Sequence, residues 1–463
     1  MTDAAGIRVV AVADADSFVK WAASLLGSIP GLRPHLLLVR TPLTVSAAQE
    51  RTALAGTGIG QDDVTRIDFA AATAWLDRHR PDVVLLAGRG PFVRLLGRVI
   101  DALPHRPVTV SGLPGMAIPA QRGALDYRRH TDLLIVHSHR EMRAFAELGE
   151  RIGVRTPTAL ATLPFARRRQ RMVSAERVRV EATASARSSV AIAERPSPAA
   201  APVRPPATDI VFAAQALVPV AREERARIAA MLVRAAEADP GRRVVVKLRS
   251  RPGEAETHLE RDPYPALLPR RRPANLVFSY ASMATALETA AGLVTVSSTA
   301  AIEATALGVP VIALDSFGVR KSLLNTVFVG SGLLGGRDEV VAGRFRHPHP
   351  DWLRDNYFHP ESDATWWERV EQLVALRRSG SLPARRVPSP RGGALHEAWH
   401  RASVLGAEDR TVSGALALAV GTPVTRALAA VRGRGGSSEA STWSDAATDY
   451  TLEPNPFHDS MRR

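Results

Sequence analysis

Ser297, Ser298 and Thr299 stand in a row between two runs of different character, the apolar LVTV before them and AAIEATALGVPVIALD after them. A β-branched run followed by small helix formers predicts strand, turn and helix. The three hydroxyls therefore fall at a helix start, where unpaired backbone N–H groups and the positive end of the helix dipole meet. Such a corner can take a phosphate. It can also be a plain cap, with Ser298 or Thr299 accepting a backbone N–H and no ligand involved. Glu303, one turn beyond Thr299, faces the same end of the helix and could accept hydrogen bonds from ribose hydroxyls. Upstream, Lys247 closes the run RRVVVKL and is followed by Arg249 and Arg251, cations that suit a phosphate.

A second group lies near the N-terminus. Asp14 and Asp16 follow the apolar IRVVAVA, with Ser17 read as the cap of the next helix and Lys20 in its first turn. Two carboxylates close together raise one pKa, which suits a general base working near neutrality. Either could equally be a helix cap. A single D-x-D is too little for a metal site, and no metal is expected. His137 and His139 in VHSHRE lack a third ligand in sequence and read as lining or capping residues. The Gly112–Gly115 stretch, with Arg122 and Arg128 nearby, reads as a connection that could also serve as an acceptor loop.

These residues need a frame to position them. IRVVAVAD, PHLLLVR, PDVVLLAG, PVTVSG and TDLLIVHS are short apolar runs separated by amphipathic helices. DIVFAAQ, RRVVVKL, NLVFSY, AGLVTVSS and VPVIALD repeat the pattern later in the chain. Strands apolar on both faces with helices between them imply parallel sheets covered on both sides. The expected fold is α/β, two doubly wound Rossmann-like lobes facing an interdomain cleft. Residues 1–165 form an N-terminal acceptor lobe and 166–208 a disordered Pro/Ala-rich linker. Residues 209–377 form the donor lobe, and 378–463 a low-complexity tail with one helix in SGALALAVGTPVTRALAAVRG. Ligands in such sheets bind at the carboxyl ends of the strands.

A chain of 463 residues exceeds one ordinary core. It has no cysteine, which removes disulfides, thiolate metal sites and a cysteine nucleophile. No run is long enough to span a bilayer and no basic leader precedes the first strand, so a cytoplasmic location is expected, at or near the inner face of the membrane. The net charge is +14, and the basic residues are almost all arginine, many of them clustered in RRRQR at Arg167–Arg171, in PRRRP at Pro269–Pro273 and in the tail. No nucleic-acid motif accompanies it, so no specific nucleic acid is expected. An anionic membrane surface or anionic acceptor fits that charge.

The pair VVVKLRSRPGE and VSSTAAIEATALGVPVIALD looks like the donor-binding half of GT-B glycosyltransferases. The whole chain resembles an actinobacterial group related to capsule and sialyltransferase-like enzymes, over Ile7–Phe165 and Asp209–Trp367. In those relatives a Lys-x-His-Pro element and a Ser/Thr-Ser element bracket the phosphate of a nucleotide-activated sugar. Here the second is Ser297-Ser298-Thr299, while the first keeps Lys247 but has RSRP where His-Pro would stand; His258 is the candidate replacement. An acidic base in the first lobe of such enzymes resembles Asp16 or Asp14 in position. The resemblance implies an inverting, metal-independent glycosyltransferase with a nucleotide-sugar co-substrate, no further cofactor, and a glycan or lipid-linked acceptor. Rival readings are a polyol-phosphate transferase or nucleotide-sugar epimerase on the same fold, and a non-enzymatic basic protein that binds polyanions.

Overall fold

The computed structural model describes residues 6–43, 45–167, 207–249, 260–385 and 393–420. The chain divides into two compact units, the first comprising residues up to Pro164 and again from Ser362, the second Phe165–Glu361.

The first unit is built on β1 (Val9–Ala13), β2 (His35–Val39), β3 (Val64–Ile67), β4 (Val83–Ala87), β5 (Val108–Gly112), β6 (Leu133–Val136) and β7 (Thr158–Leu160). They form one seven-stranded sheet in the order β3-β2-β1-β4-β5-β6-β7, with every pairing parallel. The connections are α1 (Asp16–Leu26), α2 (Ala47–Leu54), α3 (Phe69–His79), α4 (Gly90–Asp101), α5 (Arg122–Asp126) and α6 (His139–Ile152). All five residues of β1 and of β4 are buried, as central strands covered on both faces must be. Their side chains feed two apolar layers, one with Trp21, Leu25 and Leu36 and one with Phe92, Leu96 and Ile100.

The second unit carries β8 (Asp209–Ala213), β9 (Val244–Lys247), β10 (Leu276–Ser279), β11 (Ala290–Thr295), β12 (Val311–Leu314) and β13 (Leu334–Gly335), in the order β10-β9-β8-β11-β12-β13. All its pairings are parallel too. Its helices are α7 (Arg222–Ala238), α8 (Tyr264–Leu267), α9 (Met283–Glu288), α10 (Ala300–Ala306), α11 (Arg337–Val341) and α12 (Pro350–Asp355). Phe212, Leu232, Val246, Tyr264 and Val294 sit in its core.

Two expectations about organisation change. Helix α13 (Trp366–Arg378), read from sequence as the end of the donor lobe, packs Trp366, Val370 and Val374 into the core of the first unit. Arg377 seals that contact with an ion pair to Asp82 at 3.1 Å. The segment beyond it is not simply a loose tail. Arg385 bridges Asp101 at 2.8 Å and Asp132 at 2.7 Å. Helix α14 (Gly393–Leu405) then places Val404 and Leu405 against the α4 side of the sheet. The helix foreseen in SGALALAV is present at residues 412–420, and its continuation lies outside the described residues. The linker reading falls almost wholly on residues 168–206, which also lie outside them.

Candidate functional site

In the second unit, β8, β9 and β11 are neighbours, and each ends in a residue of the candidate site. After β11, Ser297 is buried and is gripped by Gln215, which follows β8. The amide oxygen of Gln215 accepts the Ser297 backbone N–H at 2.9 Å, and its amide nitrogen donates to Ser297 Oγ at 3.3 Å. Thr295 Oγ1 accepts the N–H of Ser298 at 3.0 Å. Ser298 Oγ in turn accepts the N–H of Ala300, the first residue of α10, at 3.2 Å, and so satisfies one of the free N–H groups at that helix start. Thr299 occupies the N-cap position of α10 without a side-chain cap bond. Sequence reasoning missed Gln215. Its only signal was a polar residue at the end of a strand that proves to adjoin β11.

Buried Arg225 fixes the loop that carries Gln215, donating to the Gln215 carbonyl at 2.8 Å and to the Asp262 carbonyl at 2.7 Å. It pairs with Glu260 and lies 4.4 Å above the Tyr264 ring. Burial pushes the Tyr264 phenol well above its ordinary value.

Lys247, the last residue of β9, is buried and donates from Nζ to the Leu248 carbonyl. Burial lowers its pKa, Arg249 lowers it further, and the Glu303 carboxylate opposes both. Lys247 and Glu303, distant in sequence, thus share one electrostatic environment, with half-buried Ser298 and Thr299 starting the helix that carries Glu303. Arg249 is exposed. His258 and Arg251 lie outside the described residues.

In the first unit the two carboxylates part company. Asp14 has a fully buried side chain whose Oδ2 pairs with Arg89 Nε at 3.0 Å, while Oδ1 accepts the Arg89 backbone N–H at 3.2 Å. Burial raises its pKa and Arg89 pulls against the rise. The expected cause, repulsion from a second carboxylate, is not what acts here. Asp16 is the first residue of α1, half-buried. The N-cap of that helix is Ala15, with no side-chain cap bond, so neither Asp16 nor Ser17 performs the capping expected of it.

The histidines are held by the fold. His137 Nε2 lies 2.8 Å from Trp21 Nε1 and 3.1 Å from the Leu113 carbonyl, and its Nδ1 lies 2.9 Å from the Ala161 carbonyl. His139 Nε2 lies 2.9 Å from Asp363 Oδ2, a residue of the same unit. Gly112 ends β5 rather than opening a turn: a Cβ there would come within 2.5 Å of the Trp21 ring. Among the described residues no group of three or more His, Asp or Glu gathers as a metal site. No helix among them is long and apolar enough to cross a membrane.

Arranged this way, the second unit offers a partly desolvated cation and two hydroxyls at the carboxyl ends of parallel strands, with a carboxylate in the first turn of the helix that follows. Similar architecture occurs in solved structures. A Methanocaldococcus jannaschii UDP-GlcNAc 2-epimerase in complex with UDP-GlcNAc and UDP is 10% identical, with a TM-score of 0.51 over 79% of this chain and 99% of that one. S. aureus MnaA with UDP is 11% identical, with a TM-score of 0.46 over 83% and 100%. Apo UGT2 of Phytolacca americana is 12% identical, with a TM-score of 0.42 over 86% and 99%. At such identities the likeness is one of fold. No curated protein matches the chain. The model of the family described as "Putative glycosyltransferase (DUF6716)" matches residues 9–373, most of the chain, and the chain belongs to that family.

Proposed function

We propose that this enzyme transfers a sugar from a nucleotide-activated donor to a glycan or lipid-linked acceptor, by inversion and without an obligatory metal. The observation that carries the reading is that Lys247, Gln215 and the Ser297 corner it grips end or follow three adjacent strands, with Glu303 in the first turn of the helix that the corner starts. In this reading Ser297 and Ser298 donate to the donor's phosphates and Glu303 accepts from the ribose. Lys247 and Arg249 balance the charge that grows on the departing phosphate, the kind of preorganised electrostatics that can dominate catalysis. The fold of the epimerase solved with UDP-GlcNAc and UDP supports a nucleoside diphosphate sugar as donor class.

Asp16 is the base of choice because Asp14 is enclosed and ion-paired, whereas Asp16 stands half-exposed at the helix start. The acceptor oxygen attacks the anomeric carbon and its proton passes to Asp16. The bond from that carbon to the phosphate oxygen breaks, and its electron pair leaves with the nucleotide. The closer kinship with sialyltransferase-like and capsule enzymes belongs to the same proposal, as does work beside an anionic membrane surface.

A nucleotide-sugar epimerase is the second reading, favoured by the shared fold of the UDP-GlcNAc 2-epimerase. Product analysis separates the two. Incubation of the protein with UDP-, CMP-, GDP- and CDP-sugars should release free nucleotide in proportion to acceptor added. A changed sugar still attached to its nucleotide, formed without acceptor, would establish epimerisation instead.

A further inference from the structure

At the mouth of the first sheet Arg89 and Arg128 share the single carboxylate of Asp14. Arg128 is 2% exposed, and no carboxylate among the described residues lies within ion-pair distance of it. Its N–H groups go to neutral acceptors: Ser111 Oγ at 3.0 Å, the carbonyls of Gly88 and Gly112, each at 3.2 Å, and that of Ala124 at 3.3 Å. The Asp14 charge favours its protonated form from farther off. A buried cation is ordinarily matched by a counter-ion. Just past the end of β4, Arg89 spends Nε and its backbone N–H on Asp14, while its two terminal NH2 groups form no hydrogen bond with the described residues. Those groups belong to a side chain about one third exposed.

The loop that presents this guanidinium is tightly specified. A Cβ on Gly88 would meet Asp14 Oδ1 at 3.0 Å and the Phe92 ring at 2.4 Å, and one on Gly90 would meet the Tyr127 ring at 2.4 Å. The buried carboxylate of Asp14 therefore acts as a seat, holding the guanidinium at Nε on a side chain that remains partly exposed. Two cations face one carboxylate here. Arg89 also occupies the N-cap of α4, an end of a helix where an anion rather than a cation is favoured.

We propose that Arg89 recognises an oxyanion, a carboxylate or phosphate, on the acceptor, with both terminal NH2 groups engaging it as a fork. A forked, charge-assisted pair of this kind is geometrically selective, and lysine does not reproduce it. The proposal rests on the first unit binding the acceptor in the transfer reading given above. It gives Asp14 the role of positioning residue.

The test is a ligand-observed NMR titration of the full chain with glucuronate, glucose 6-phosphate and glucose, run beside calorimetric titrations with UDP, CMP, GDP and CDP. The wild type should bind at least one of the two anionic sugars about tenfold more tightly than glucose, and the stronger of the two identifies the anion. Arg89→Lys should lose most of that preference. Arg89→Gln alone strands a buried carboxylate, so the folded control is the double variant Asp14→Asn/Arg89→Gln, which keeps a neutral hydrogen-bonding pair. It should lose the preference while binding nucleotide as the wild type does. Equal binding of charged and neutral sugars, binding of none of them, or a preference retained in the folded double variant would overturn the proposal. Failure of the wild type to bind UDP, CMP, GDP or CDP, with the anion preference intact, would overturn the transfer reading instead.

Discussion

Gln215 grips Ser297 with both ends of its amide, accepting the backbone N–H at 2.9 Å and donating to the hydroxyl at 3.3 Å. One residue thereby ties the end of β8 to the turn after β11 and orients the hydroxyl assigned to the donor. Gln215→Leu keeps the bulk and removes both bonds. It should weaken nucleotide binding about tenfold and lower stability by about 1–3 kcal/mol, the usual result of leaving buried polar groups unpaired. Calorimetry and thermal melting read the two effects separately; unchanged affinity in a folded variant would take Ser297 out of the site.

Lys247→Met keeps the apolar stem and removes the charge. Turnover should fall by a factor on the order of 10²–10³ if the ammonium balances the leaving phosphate. The folded pKa of Lys247 lies below its ordinary 10.5, so in the window between the two the unfolded chain binds more protons. Wild-type stability relative to Lys247→Met should therefore rise with pH through that window. Urea midpoints at a series of alkaline pH values check the sign, and a flat difference would mean that Lys247 is not held in a desolvated setting.

Asp14 shows the opposite dependence. Its folded pKa lies above the ordinary 3.8, so the folded state holds the proton more firmly than the unfolded chain. Stability from this group is fully present below 3.8 and is lost as pH rises through the folded value. The stability of the wild type relative to Asp14→Asn should decline as pH rises across that interval. A difference that grows with pH would show that Arg89 more than compensates the burial.

Much of the frame was legible because burial on both faces writes itself as uninterrupted apolar runs, as in Val9–Ala13 and Val83–Ala87. β3 was not, since its VTRI lies at a sheet edge and is at most half-buried. Helix α13 was placed by sequence at the end of the donor lobe, because nothing in TWWERVEQLVALRR says which core takes its tryptophans. The site was half legible for the same reason. Ser297 and Glu303 share a local strand-turn-helix pattern, whereas Gln215 lies 82 residues before Ser297 and Arg89 lies 75 after Asp14. Such partners are set by sheet order rather than by spacing.

The placement of α13 makes its own prediction. Trp366→Ala should destabilise the first unit by about 3–5 kcal/mol, as expected for removing a buried tryptophan. Hydrogen exchange should show protection lost in β1 and β4 and retained in β8 and β11. Loss confined to the second unit would contradict the assignment.

Asp16→Asn should leave nucleotide affinity near the wild-type value while sugar transfer falls about 10²–10⁴-fold, because the amide cannot take the acceptor proton. Normal transfer by this variant would remove Asp16 from the mechanism.

The central claim, that the Ser297 corner of the second unit holds the donor's phosphate, is tested most directly by calorimetric titration of UDP, CMP, GDP and CDP into the wild type and Ser298→Ala. At least one nucleotide should bind the wild type. Ser298→Ala should bind it more weakly by about 1–3 kcal/mol, while melting shows no more than the loss of one cap, about 1 kcal/mol. Binding of none of the four, or equal affinity in the two proteins, would contradict the account.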